Sequence, residues 1–194
     1  MRLYKFSRKT LETDIELEVK LDGEGVFSGS TGIGFFDHLI NTLSKHSRMD
    51  VKIVKCQGDT HVDFHHLVED FGIVLGVCFR EALGDKKGMK RFGFSSVPLD
   101  EALSSVSLDI SGRSFLYIPT EYLTGSIREF DMELIEVFLS AFVREAKITL
   151  HVDVVRGFNK HHIAESIFKA LGVAIREAIR IEGDIVPSTK GTIQ

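Results

Sequence analysis

The chain has 194 residues, 43% of them hydrophobic, and a formal net charge of −4. That length and apolar content can bury a sizeable core, and the charge excludes a nucleic-acid binder that relies on a broad basic surface. Two cysteines without a CxxC spacing exclude a disulfide frame; an N-terminus without an apolar core and a longest apolar run of only Phe71–Phe79 exclude a signal peptide and a membrane span. Together these features predict a soluble cytoplasmic protein with no nucleic-acid or membrane partner.

Asp14–Asp22 alternates polar and apolar residues without a break, as a half-buried strand does. Gly23-Glu24-Gly25 reads as a turn and Val26–Gly29 as a return strand, so a hairpin is expected here. Asp37 is placed to cap a helix of about three turns, with His38 in its first turn and Leu39, Leu43 and His46 at helical spacing. Asp50–Lys55 alternates as a strand, Gly58-Asp59 turns the chain, and His65–Glu69 opens a helix ending at Gly84.

The second half repeats this order. Leu103–Ile110 and Ser114–Ile118 read as strands around the Ser111-Gly112-Arg113 turn. Phe130–Glu133 enters a helix that runs through Phe142, Lys147–Val154 is a strand, and a last helix runs to about Ile181. The repeat is literal in one segment: His65-His66-x-x-Glu69, Leu75-Gly76-Val77 and Arg80-Glu81-Ala82 return as His161-His162-x-x-Glu165, Leu171-Gly172-Val173 and Arg176-Glu177-Ala178. The expectation is one α+β domain over 1–194, an internally duplicated ββαβα unit with halves of about 1–90 and 91–194. Two sheets would sandwich a central helix bundle. Gly76 and Gly172, mid-helix at matching positions, read as places where helices approach closely.

On a helix His65 and Glu69 share a face, whereas His66 is rotated by ~100° from His65. One ion cannot comfortably take both histidines from one helix, so two ions are expected: His65 and Glu69 on one, His161 and Glu165 on the other, with His66 and His162 crossing over. Imidazole plus carboxylate without thiolate suits Mn, Fe or Zn, and octahedral preference favours Mn. A single His-His pair is more often polar surface; two copies in register argue otherwise. His38 is a candidate further ligand, and the repeat aligns it with Val137, leaving the second ion without a match unless His151 or water substitutes. A basic set of Arg91, Arg113, Lys169 and Lys190, with Ser188 in the Ser-Thr-Lys-Gly tail, offers a grip for a phosphate dianion.

Gly32–Leu39, Gly58–Asp70, Arg91-Phe92-Gly93 with Pro98–Ala102, Ser111-Gly112-Arg113, Gly157–Glu165 and Pro187–Gly191 resemble, in order and over nearly the whole chain, the motifs of imidazoleglycerol-phosphate dehydratase. The resemblance implies a hydro-lyase of histidine biosynthesis that converts imidazole glycerol phosphate to imidazole acetol phosphate with a pair of Mn ions per site. It implies mixed sheets of the ribosomal protein S5 domain 2-like fold and a homo-oligomer, a 24-subunit shell with sites at subunit interfaces. Carried onto this sequence, the metal ligands are His38, His65, His66, Glu69, His161, His162 and Glu165. Phosphate contacts fall on Arg91, Arg113, Lys169, Ser188 and Lys190, and Glu12 and His46 match substrate-pocket positions. Two departures stand out: the family usually has histidine at Val137 and glutamine at Thr42, which bears on one metal site and one substrate contact.

The mechanism implied is metal-assisted elimination, with Glu165 or Glu12 moving protons and the basic set orienting the substrate. Two alternatives share the motifs: a metallohydrolase acting on a small phosphorylated substrate, and a non-catalytic metal-binding shell protein.

Overall fold

The computed structural model describes residues 2–193. Strands Leu3–Lys9 (β1), Thr13–Lys20 (β2), Phe27–Ser28 (β3) and Asp50–Gly58 (β4) form a sheet in the order β1-β2-β4-β3. Phe92–Leu99 (β5), Ala102–Asp109 (β6), Phe115–Tyr117 (β7) and Thr149–Arg156 (β10) form a second sheet in the order β5-β6-β10-β7. In each sheet the short strand runs parallel to its neighbour and the other pairs are antiparallel, so both sheets are mixed. Ser126–Ile127 (β8) and Phe130–Asp131 (β9) make a separate small hairpin.

Four helices lie between the sheets: Gly34–Ser47 (α1), His65–Leu83 (α2), Leu134–Ala146 (α3) and Lys160–Ala178 (α4). α2 packs on β1 and β2, α4 packs on β5 and β6, and the helices pair across the halves as α2 with α3 and α1 with α4. The strict alternation of β2, buried at every second residue, turns one face of its sheet toward these helices. α2 is apolar on most of its circumference because it is covered by a sheet on one side and by α3 on the other. The centre is aromatic: Phe138 of α3 lies 5.4 Å from Phe36 of α1 and 5.7 Å from Phe168 of α4, and Phe36 lies 5.3 Å from Phe71 of α2. One fully buried ring thus ties three helices together, and truncating it to alanine would cost about 3–5 kcal/mol.

The mid-helix glycines do what their spacing suggests. A Cβ on Gly76 would stand 2.7 Å from the Phe142 carbonyl oxygen of α3, and one on Gly172 would stand 2.8 Å from His46 Cβ of α1. These are backbone-level approaches that no side chain fits.

Four local expectations change. The repeating unit has three strands before its first helix, βββαβα, because β1 and β5 also form. Val26–Gly29 does not close a hairpin on β2: its short strand β3 pairs parallel with β4, and the hairpin partner of β2 is β1. Asp37 does not cap α1, which begins three residues earlier; its carboxylate instead accepts from the Thr31 N–H at 2.8 Å and the Thr31 hydroxyl at 2.7 Å, fastening the loop before the helix. Phe130-Asp131 belongs to β9, and α3 starts at Leu134.

Candidate functional site

The paired histidines stand in the first turns of two matching helices. Asp63 Oδ1 accepts from the His65 N–H at 2.8 Å, and Asn159 Oδ1 accepts from the His161 N–H at 3.0 Å. Each helix start is thereby fixed by a side-chain oxygen satisfying an otherwise unpaired N–H, and the motif's side chains are held at the helix mouth.

The tightest group joins α1 and α4. His38 Nε2 and His161 Nε2 lie 3.2 and 3.1 Å from the same oxygen of Glu165, Oε2, while the other oxygen, Oε1, lies 2.9 Å from Lys169 Nζ. Burial works against ionising Glu165, but hydrogen bonds from Lys169 and His38 outweigh it and hold the carboxyl at about 2. Phe35 packs against both imidazoles, with ring centroids 5.1 Å from His161 and 6.1 Å from His38. A cavity of about 490 Å³ is lined by His38, His161 and Phe35, and also by Phe64 and Arg128.

A second group forms at the start of α2. His66 Nδ1 lies 3.0 Å from Asp59 Oδ2 and 3.9 Å from Glu12 Oε2; the hydrogen bond to Asp59 raises the pKa of the imidazole against the smaller effect of burial. In the other half His162 Nδ1 lies 2.7 Å from Glu101 Oε2, which raises the pKa of His162 and holds the Glu101 carboxyl at about 2. Among the described residues, two sets bring three imidazole or carboxylate donors within 4.8 Å of one another: His38, His161 and Glu165, and Glu12, Asp59 and His66. Either spacing is open to a divalent ion.

The remaining expected residues separate. His65 faces a small cavity of about 180 Å³ with Glu129, Asp131 and Glu133, while Glu69 lies 3.6 Å from Arg144. Within one chain neither His66 nor His162 joins the other half's group, so the crossing arrangement is not made by a single copy. Val137 occupies the α3 position matching His38: both helices end on a left-handed residue, Arg48 at φ 61° and Lys147 at φ 53°, and counting back from these ends aligns the two. His151 stands on the β10 strand between Phe115 and Tyr117, in a different setting from the histidine groups. Thr42 is buried in α1.

Four of the basic-set residues do meet. Arg91, Arg113, Ser188 and Lys190 line a cavity of about 530 Å³. Arg91 is already committed: Nε and Nη2 bond Asp109 at 2.7 and 3.1 Å, and Nη1 donates to the Pro187 carbonyl at 2.9 Å, so it fastens the tail that carries Ser188 and Lys190. Arg113 makes no ion pair among the described residues. Lys169 lies outside this cavity, on Glu165. His46 packs over Gly172, and burial first, then the charges of Lys169 and Arg176, lower its pKa. A further cavity of about 760 Å³ is bounded by Arg2, Arg48, Arg176 and Arg180 and has no histidine in its lining.

Sequence reasoning assigned no role to Asp59 or Glu101. The signal for Glu101 was its place just before β6, matching Glu12 just before β2, but it becomes visible only once β1 and β5 are known to pair with those strands.

A duplicated α+β fold with imidazole and carboxylate groups at matching helix starts, and a separate cavity lined by arginine, lysine and serine donors, has the makings of an enzyme site. The sequence model of the imidazoleglycerol-phosphate dehydratase family matches residues 31–175. Imidazoleglycerol-phosphate dehydratase of Aminomonas aminovorus is 51% identical, with 100% of both chains covered, and that of Methanosarcina mazei is 48% identical, again with 100% of both covered. The crystal structure of the Staphylococcus aureus dehydratase is similar with a TM-score of 0.79 at 35% identity, covering 92% of this chain and 99% of that one. That of the Pyrococcus furiosus enzyme, in complex with (S)-C348, gives 0.78 at 33%, covering 96% and 99%. The chain belongs to the imidazoleglycerol-phosphate dehydratase family, the hydro-lyases of histidine biosynthesis. No helix among the described residues is long and apolar enough to cross a membrane.

Proposed function

We propose that this chain is a manganese-dependent dehydratase that converts imidazole glycerol phosphate to imidazole acetol phosphate in the cytoplasm. It works as a homo-oligomer, a 24-subunit shell with its sites between subunits. The observation that carries this reading is Glu165, with one oxygen facing two imidazoles and the other an ammonium. The shared site is supported by the absence of His65, Glu69 and His162 from both three-donor sets that one chain makes among the described residues.

The donor chemistry fits manganese: imidazoles and carboxylates converge with no thiolate among them. His38, His65, His66, Glu69, His161, His162 and Glu165 would hold the ions, which when bound supply Lewis acidity toward the substrate's imidazole and hydroxyls. The chain's own groups do the rest. Arg113, Lys190 and the Ser188 hydroxyl grip the phosphate in the cavity that Arg91 keeps closed on the tail side. Phe35 gives a flat apolar wall beside His38 and His161, which keeps water from one side of the reacting carbons. The elimination removes a proton from carbon two and a hydroxyl from carbon three as water, and the enol formed becomes the ketone. Glu12, with its side chain 55% exposed and 3.9 Å from His66, is free to carry a proton, whereas Glu165 is held by Lys169 and two imidazoles.

The test is incubation of the purified protein with imidazole glycerol phosphate, with and without manganese. Ketone product without released inorganic phosphate, abolished by chelation and restored by manganese, is the expected result. Released phosphate would replace this reading with a hydrolase.

A further inference from the structure

The two halves place an equivalent glutamate beside an equivalent histidine and use it differently. In the first sheet β1 pairs with β2 from Leu3↔Lys20 to Lys9↔Asp14; in the second, β5 pairs with β6 from Phe92↔Asp109 through Pro98↔Leu103 in the same register. The turn carrying Glu12 therefore superposes in topology on the turn carrying Glu101, each glutamate standing one residue before the inner strand. His66 and His162 are equivalents in the repeated motif. Glu12 Oε2 lies 3.9 Å from His66 Nδ1, with Asp59 interposed as the nearer partner at 3.0 Å. The Asp59 counterpart is absent from the second half, where Glu101 Oε2 takes His162 Nδ1 directly at 2.7 Å and Oε1 accepts from the Asn159 N–H at 2.9 Å. The Glu101 side chain is 24% exposed against 55% for Glu12.

We propose that Glu101 is a positioning residue, the tied-down twin of Glu12: it accepts the Nδ1–H of His162 and so presents Nε2 outward, as Asp59 does for His66. A carboxylate only accepts, so the ring hydrogen must sit on Nδ1. Asp100, 3.9 Å from Nε2 and 76% exposed, does not close that side. Partners of this kind fix both the tautomer and the ring orientation of a ligating imidazole. With both oxygens engaged, Glu101 is withdrawn from proton transfer, and the pseudo-symmetry of the fold leaves Glu12 alone in that role.

This rests on the dehydratase reading only for its metal arm. In metal-free protein at a pH where His162 is neutral, nitrogen-15 NMR reads the tautomer directly. Glu101→Ala is expected to abolish the Nδ1–H preference of His162 and leave that of His66, and Asp59→Ala to do the reverse. Manganese titration of Glu101→Ala is expected to show affinity about 10–100-fold weaker than the parent, with Glu101→Asp recovering part of it. If Glu101→Ala does not fold, Glu101→Met takes its place, since it keeps the side-chain length and removes both carboxylate acceptors. An unchanged His162 tautomer together with unchanged manganese affinity would overturn the proposal. A parent protein that binds no manganese would sink the dehydratase reading, while the tautomer comparison still judges Glu101.

Discussion

His38 lies against Phe35 and His161 with its Nε2 on the Glu165 carboxylate, and the matching place in the other half holds Val137. Because α1 pairs with α4 as α3 pairs with α2, the repeat places Val137 on the helix that packs against α2, which carries the first motif, whereas His38 meets Glu165 of the second. Val137→His supplies the missing imidazole on α3. The expected outcome is a higher manganese-to-chain ratio after desalting, measured by elemental analysis, with little change in melting temperature; an unchanged ratio would show that Val137 has no bearing on metal content. The histidines and Glu165 were legible in the sequence because a repeated motif is a strong signal. Their orienting carboxylates were not, because Asp59 and Glu101 reach their histidines across turns, at separations of 7 and 61 residues that no helical period marks.

Two of the strands that escaped sequence reading, β1 and β5, are sheet edges. β1 has neither face well buried, so its residues do not alternate, and β5 contains Gly93 and Pro98, which ordinarily punctuate a chain. Both are explained by place: Pro98 is tolerated at a sheet edge, and a Cβ on Gly93 would meet the Ala174 carbonyl of α4 at 1.9 Å. The helical glycines were legible, since a glycine that lowers helix propensity must have a packing reason. Gly76→Ala gains about 1 kcal/mol of propensity but forces α2 from α3, an overpacking cost of about 1–3 kcal/mol. A net loss of stability, seen as a lower denaturant midpoint, is expected. The β5 to α4 contact also has a pH signature. Glu177 bonds Lys90 and accepts from the Phe94 N–H, and these bonds, Lys90 first, lower its pKa below 4.5. Its contribution is present above pH 4.5 and is lost as pH falls through the lowered value. Glu177→Gln should therefore melt below the parent at pH 7 and converge with it in acid, as followed by thermal unfolding across pH.

At the scale of the whole molecule, the duplication explains why one chain holds two similar motifs at the starts of matching helices. The two sheets face outward and the helix bundle is shared, so the motif helices begin at separate places on one core. The sequence pattern made the duplication and the α+β class legible, because the repeat and the strand alternation are local signals. Which groups meet was not legible, since it depends on helix pairing across the halves. A dehydration site built from two copies of the chain is tested by turnover of imidazole glycerol phosphate in a co-expressed mixture of His66→Ala and Glu165→Gln chains, each expected to be inert alone. In mixed assemblies some sites join the intact first motif of one chain to the intact second motif of another. Recovery of manganese-dependent ketone formation in the mixture is the expected result; turnover that stays at the level of the separate variants, in assemblies shown to contain both chains, would contradict the account.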